Sequence, residues 1–125
     1  MPEARADTER LLARCEDPAL ARVRLFSADD HFYQLPAIMA LCSLVISVET
    51  AVMHLANAMQ VPVIALMRRN HPEWAPIDRD NSTVIMAEHE EDWVTAIGVD
   101  EVLEVLDRDA RFESGFSHFP ADASA

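Results

Sequence analysis

The chain has 125 residues, half of them hydrophobic, two glycines, and a formal net charge of -12, which describes one soluble domain and excludes a disordered acidic tail. A chain of this length buries roughly two-thirds of its unfolded surface, enough for one core without a metal or disulfide staple. Ten arginines stand against 22 carboxylates and there is no lysine, so nonspecific nucleic-acid binding through phosphate neutralisation is excluded.

The acidity is uneven: residues 88–113 hold ten carboxylates against Arg108 and Arg111, whereas residues 1–85 hold eleven against eight arginines. Cys15 and Cys42 are too few and too unpatterned for a disulfide framework or a zinc site, and read as free thiols of a reducing cytosol, Cys42 as a small buried side chain. Residues 1–10 lack the apolar core of a signal peptide. The apolar stretch 35–48 is broken by Pro36, Ser43 and Ser47 and falls short of the ~20 residues a membrane helix needs. A cytoplasmic location follows as the expectation, peripheral attachment to the inner membrane being compatible with it.

In chain order, residues 8–15 carry Leu11 and Leu12 among charges and predict an amphipathic helix, stopped by Glu16, Asp17 and Pro18. Residues 23–26 predict a short strand, followed by a polar loop, residues 27–30, able to cap the next helix. That helix is expected over 31–41, where Phe32, Leu35, Ile38, Met39 and Cys42 recur at helical spacing, with Pro36 near its first turns, where a missing N–H costs least. Residues 44–48 form a β-branched run expected of a strand covered on both faces.

A helix is expected over 51–60, with Val52, Leu55, Ala56 and Met59 as its apolar stripe. The chain then turns at Val61 and Pro62 into a buried strand, 63–67. A polar loop covers 68–80, a further strand 83–86, and a last helix carries Val99, Val102, Leu103 and Leu106. Residues 114–125 are expected to be a flexible tail behind a single domain of residues 1–113. Alternating strands and helices with short connections predict an α/β fold with a mainly parallel sheet and right-handed crossovers.

In such a sheet, ligands bind outside the carboxyl ends of the strands, often where a helix N-terminus offers free N–H groups to an anion. Glu49, Thr50, Ala51 and His54 occupy that place. Thr50 either caps its helix or donates to a phosphate oxygen, and His54, one turn on, is either a half-exposed helix residue or a second group over the same terminus.

The run LVISVETAVMHLANAMQVPVIALM, residues 44–67, resembles the C-terminal nucleotide-binding domain of the ADP-heptose:lipopolysaccharide heptosyltransferases, glycosyltransferase family 9. The family signature is a hydrophobic strand, Asp-Ser/Thr-Gly, a His, a small-residue helix and a Pro-led strand. Here it stands as Val48, Glu49, Thr50, Ala51, Val52, Met53, His54, Leu55 and Ala56, with Pro62 in place. A looser similarity spans residues 8–106, including LFSADDHFYQLPAIMALCS.

The resemblance implies a three-layer Rossmann-like domain equal to one half of a GT-B glycosyltransferase. It also implies that this half binds a nucleotide-diphosphate sugar of the ADP-heptose type, for transfer to a lipopolysaccharide-type acceptor. The diphosphate would meet Glu49, Thr50, Ala51, Val52 and His54, while Asp30, His31 and Arg68 would contact the base or a phosphate. The acceptor would be bound by the other half, in a separate chain if at all, so that this chain alone would turn over little sugar. No cofactor is implied beyond the ADP-sugar substrate, and the scattered His31, His71, His89 and His118 have no metal-site spacing. Three positions depart from the family: Glu49 for Asp, Ala51 for Gly, and Arg68, Arg69 and Asn70 for Gly-Pro-Thr. The arginine pair reads as a solvated loop, with phosphate contact the alternative. A noncatalytic remnant or interaction module that retains the fold is the competing functional reading.

Overall fold

The computed structural model describes residues 2–108. Its elements are α1 (Pro2–Arg14), α2 (Gln34–Met39), β1 (Val45–Val48), α3 (Ala51–Ala58), β2 (Val63–Met67), β3 (Ser82–Met86) and α4 (Val99–Arg108), with three-residue-turn helices at Pro18–Arg22, Pro72–Trp74 and Val94–Ala96. The three strands lie in the order β1-β2-β3 and all pairs are parallel, Val45 opposite Val63 and Val63 opposite Ser82. This is the expected α/β, Rossmann-like arrangement, a parallel sheet flanked by helices.

The core forms where α3 crosses from β1 to β2 and packs on both, with α2 behind it. Met53 and Ala56 of α3, Val63, Ala65 and Met67 of β2, Met39 of α2 and Ala75 form one buried cluster, with Leu35, Val45, Val52, Leu55, Val84 and Met86 packed against it. Met53 is thus the deepest side chain of α3, while Met59, expected on its apolar stripe, lies at the helix end and is 39% exposed. Gln60 then takes a left-handed φ of 58°, which turns the chain back toward β2 without a glycine, and the Val61 N–H closes the helix on Ala56 O.

Several expectations are corrected. Residues 23–26 form no strand. Asp17 caps the turn Pro18–Arg22, Val23 N–H closes it on Leu20 O, and the Arg24 guanidinium donates to the carbonyls of Ala21 and Val23. Local bonds therefore take both backbone groups of Val23, where the strand would have begun.

The helix expected over 31–41 is α-helical only over Gln34–Met39. Gln34 N–H to His31 O at its start and Leu41 N–H to Ile38 O at its end are three-residue bonds, so tight turns flank a short α segment around Pro36. The first helix begins earlier than its leucines indicate, at Pro2, supported by the Arg5–Glu9 pair and by Thr8 Oγ1 donating to Ala4 O. Cys42 is exposed rather than buried, its thiol on Ile38 O at 3.4 Å. The expected tail, residues 114–125, and the end of the expected domain lie outside the described residues.

β1 is covered on one face only: α3 packs against it on the side of the inward Val45, and Ile46 and Val48, which alternate with it, remain 47% and 38% exposed. β2, in the middle, has both Ile64 and its inward neighbours fully buried. Among the described residues no helix is long and apolar enough to cross a membrane.

Candidate functional site

The parallel register brings the carboxyl ends of the three strands to one edge of the sheet. There β1 runs into Glu49 and Thr50, β2 into Arg68 and Arg69, and β3 into Ala87 and Glu88. Thr50 is the N-cap residue of α3, in extended conformation (φ -135°, ψ 174°), yet its side chain makes no capping bond. Its hydroxyl lies 3.4 Å from Ser47 Oγ, and its carbonyl accepts from Met53 N–H at 3.1 Å. The N–H groups of Ala51 and Val52 have no partner within the helix they begin. Positive partial charge collects there, and His54, half-buried, lies four residues after Thr50 on the same side of the helix.

Glu49, the residue before Thr50, is held by Arg68. Its two carboxylate oxygens both meet Arg68: Oε2 accepts from the Arg68 main-chain N–H at 3.4 Å and Oε1 from the guanidinium Nε. The pair is partly buried, with 12% of the Glu49 side chain and 27% of the Arg68 side chain exposed. The guanidinium carbon stands 4.8 Å from the centre of the Trp93 ring, a cation–π contact. Arg69 turns the other way, its Nε donating to Ala87 O at 3.2 Å and Glu88 O at 3.0 Å. The two arginines thus strap the end of β2 to the ends of both neighbours, so the solvated-loop reading of the pair gives way to this one.

Glu49, Thr50, Ala51, Val52, His54 and Arg68 are therefore brought to one strand–helix junction. Asp30 and His31 engage their own loop instead. Asp30 Oδ2 accepts from Gln34 Nε2 at 3.1 Å and Asp30 N–H donates to Gln34 Oε1 at 3.3 Å. His31 is exposed, its ring 6.1 Å from that of Tyr33. Trp74, 57% exposed, stacks edge-on with His71 in the loop after β2, where a main-chain hydrogen bond first and the His71 side chain second hold the Glu73 carboxyl below its ordinary range.

Sequence patterning misses two residues here. Trp93 shows no spacing that ties it to Arg68, 25 positions away. Asn57, on the far end of α3, donates to Ser82 Oγ at 3.2 Å and accepts from Asp78 N–H at 3.1 Å, tying helix, strand and loop. Among the described residues no cluster of His, Cys, Asp or Glu forms a metal-binding set.

Comparison with protein families places this junction in a wider pattern: the model of glycosyltransferase family 9 (heptosyltransferase) matches residues 4–95. The match runs from within α1 into the turn Val94–Ala96 and includes every residue of the junction. Comparisons with curated proteins and with solved structures each gave no match.

Proposed function

This chain belongs to glycosyltransferase family 9, and from that premise we propose that its strand–helix junction binds the diphosphate of a nucleotide-sugar donor, of the ADP-heptose type, for transfer to a lipopolysaccharide-type acceptor. Membership supports a glycosyltransferase-like function. The observation that carries the donor-site reading is the open start of α3: the Ala51 and Val52 N–H groups and a Thr50 hydroxyl not used in capping its own helix, at the carboxyl edge of a parallel sheet.

In the proposed reaction an acceptor hydroxyl oxygen bonds to the anomeric carbon while the bond from that carbon to the diphosphate oxygen breaks. The electron pair leaves with the nucleoside diphosphate, and the acceptor proton passes to a base or to solvent. The contribution of these residues is to the leaving group. N–H donors fixed before the reaction meet the charge that develops on the departing oxygen, and need no reorganisation to do so. His54, one turn along, is a second hydrogen-bonding group within the same reading. Asp30 and His31 would line the base side only if their loop approaches a bound nucleotide.

A reading as an interaction module without catalysis is favoured by one observation, the Ala51 side chain where the family signature has glycine. One experiment separates the two. ADP and an ADP-sugar, titrated by calorimetry with chemical-shift mapping, are expected to bind saturably and to shift residues 49–54. Absence of saturable binding, or shifts confined to the acidic residues from Glu88 onward, would overturn the donor-site reading.

A further inference from the structure

A diphosphate at the start of α3 faces an electrostatic obstacle. The residue before the N-cap is a glutamate, mostly buried, in a chain whose net charge is -12. An unpaired carboxylate there would compete with an anionic ligand for the same helix terminus and repel it, and burial would weaken the screening by salt. The structure supplies one answer. Both Glu49 oxygens are met by a single residue, Arg68, while Arg69 is turned toward the carbonyls of Ala87 and Glu88.

The fixing of Arg68 argues against a free phosphate-binding fork. Its main chain is tied to β1's end through Glu49, its Nε edge faces the carboxylate, and its guanidinium carbon lies over the Trp93 ring. Three contacts from two residues, Glu49 at the end of β1 and Trp93 in the segment after β3, define its position. An arginine so placed keeps the Glu49 charge cancelled without having to move when a ligand arrives.

We infer that Arg68 is a positioning residue of the donor site: by pairing with Glu49 it removes the negative charge beside the α3 N-terminus, and so permits a nucleoside diphosphate to sit there. This rests on the donor-site reading above. It differs from direct phosphate contact in assigning the effect of Arg68 to Glu49, which makes the two separable by removing both partners.

The test titrates ADP, and adenosine as the uncharged probe, into the unaltered chain, Arg68→Gln, Glu49→Gln and the double variant, with melts to verify folding. Arg68→Gln should weaken ADP binding on the order of tenfold, the scale expected for an uncompensated like charge near a partly buried anion site, and leave adenosine shifts unchanged. Glu49→Gln should bind ADP at least as well as the unaltered chain, and the double variant should recover its affinity. A double variant as weak as Arg68→Gln would mean that Arg68 touches the phosphates itself, and would overturn the compensating role; so would an Arg68→Gln variant that binds ADP normally. Loss of adenosine together with ADP in Arg68→Gln would likewise overturn it in favour of a purely structural strap, and here the double variant, which leaves no buried charge unpaired, keeps the protein folded for the measurement. Failure of the unaltered chain to bind ADP overturns the donor-site reading and this inference with it, whereas failure in the variants alone leaves that reading standing.

Discussion

β1 and β2 carry closely similar sequences, VISV and VIALM, and lie side by side, yet their surroundings differ. β2 has partners on both edges and buried side chains on both faces, whereas β1 has β2 on one edge and leaves Ile46 and Val48 half open. A β-branched run therefore declares a strand without declaring its place in the sheet, because burial is set by what the neighbours cover. The difference also reaches the site: the exposed strand ends in the open helix terminus, and the buried one supplies the arginine that steadies it.

The comparison is broken most directly by trimming the paired residues Ile46 and Ile64. Ile64 is fully buried, so Ile64→Ala should cost about 2–5 kcal/mol, combining lost transfer energy with the cavity left behind. Ile46→Ala, at a site nearly half exposed, should cost less than about 1 kcal/mol. Denaturant titration of both variants measures the gap. Equal costs would mean that the open face of β1 is covered in solution.

A smaller effect should follow at the join between α3 and β3. Asn57 is part-buried and satisfies both Ser82 and the main chain at Asp78. Asn57→Ala should destabilise by about 1–3 kcal/mol, the cost of leaving such partners unmet. Asn57→Asp, which keeps the acceptor toward Asp78 N–H and loses the donor toward Ser82, should fall between the two. If Asn57→Ala melts as the unaltered chain does, water replaces both contacts and the far end of α3 is less firmly tied than its start.

How far the sequence reveals these differences depends on whether the cause is local. β2 is foreseen to the residue, and β1, α3 and β3 within one or two, because each shows its own hydrophobic period bounded by its own turn. Residues 23–26 show the same local signal and form no strand; at their start Leu20 O and the Arg24 guanidinium take both backbone groups of Val23. The Glu49–His54 junction is legible for the same reason as β2: a strand, a polar break and a helix follow one another directly. The pairing of Glu49 with Arg68, and of Arg68 with Trp93, is not legible, since it depends on β1, β2 and the segment after β3 ending side by side. That adjacency is a property of the sheet register and not of any stretch of chain.

Within the site, Ala51 allows the next test. Its methyl stands where the family signature has glycine, at the first position of α3. If the methyl keeps a diphosphate from the backbone N–H groups, Ala51→Gly should tighten ADP binding at least tenfold, or about 1.4 kcal/mol, within the range of one charge-assisted hydrogen bond. Stability should fall by less than about 1 kcal/mol, because glycine is unfavourable in a helix but least so in its first turn. Calorimetry and melts read the two effects separately. Unchanged or weaker affinity in a folded variant would mean that the methyl is no obstacle.

The smallest expected change in stability belongs to Thr50, and its smallness is what makes it informative. A threonine that caps its helix through its side chain typically contributes ~1 kcal/mol, lost on replacement by alanine. Thr50 has the position and the extended backbone of a cap but not the bond; among the described residues its hydroxyl meets Ser47 Oγ at 3.4 Å, a weak contact. Thr50→Ala should therefore lower stability by no more than a few tenths of a kcal/mol, within the range of a surface substitution. The same variant should lose ADP affinity by about fivefold or more, equivalent to one net hydrogen bond, and Thr50→Ser should retain it. A full capping loss in the melts with no change in ADP binding would assign the hydroxyl to the helix. A small loss in the melts with a clear loss in binding would assign it to the ligand, and would extend the contrast between the strands to their ends: β2's is tied down by its own arginines, and β1's is left with donors unfilled.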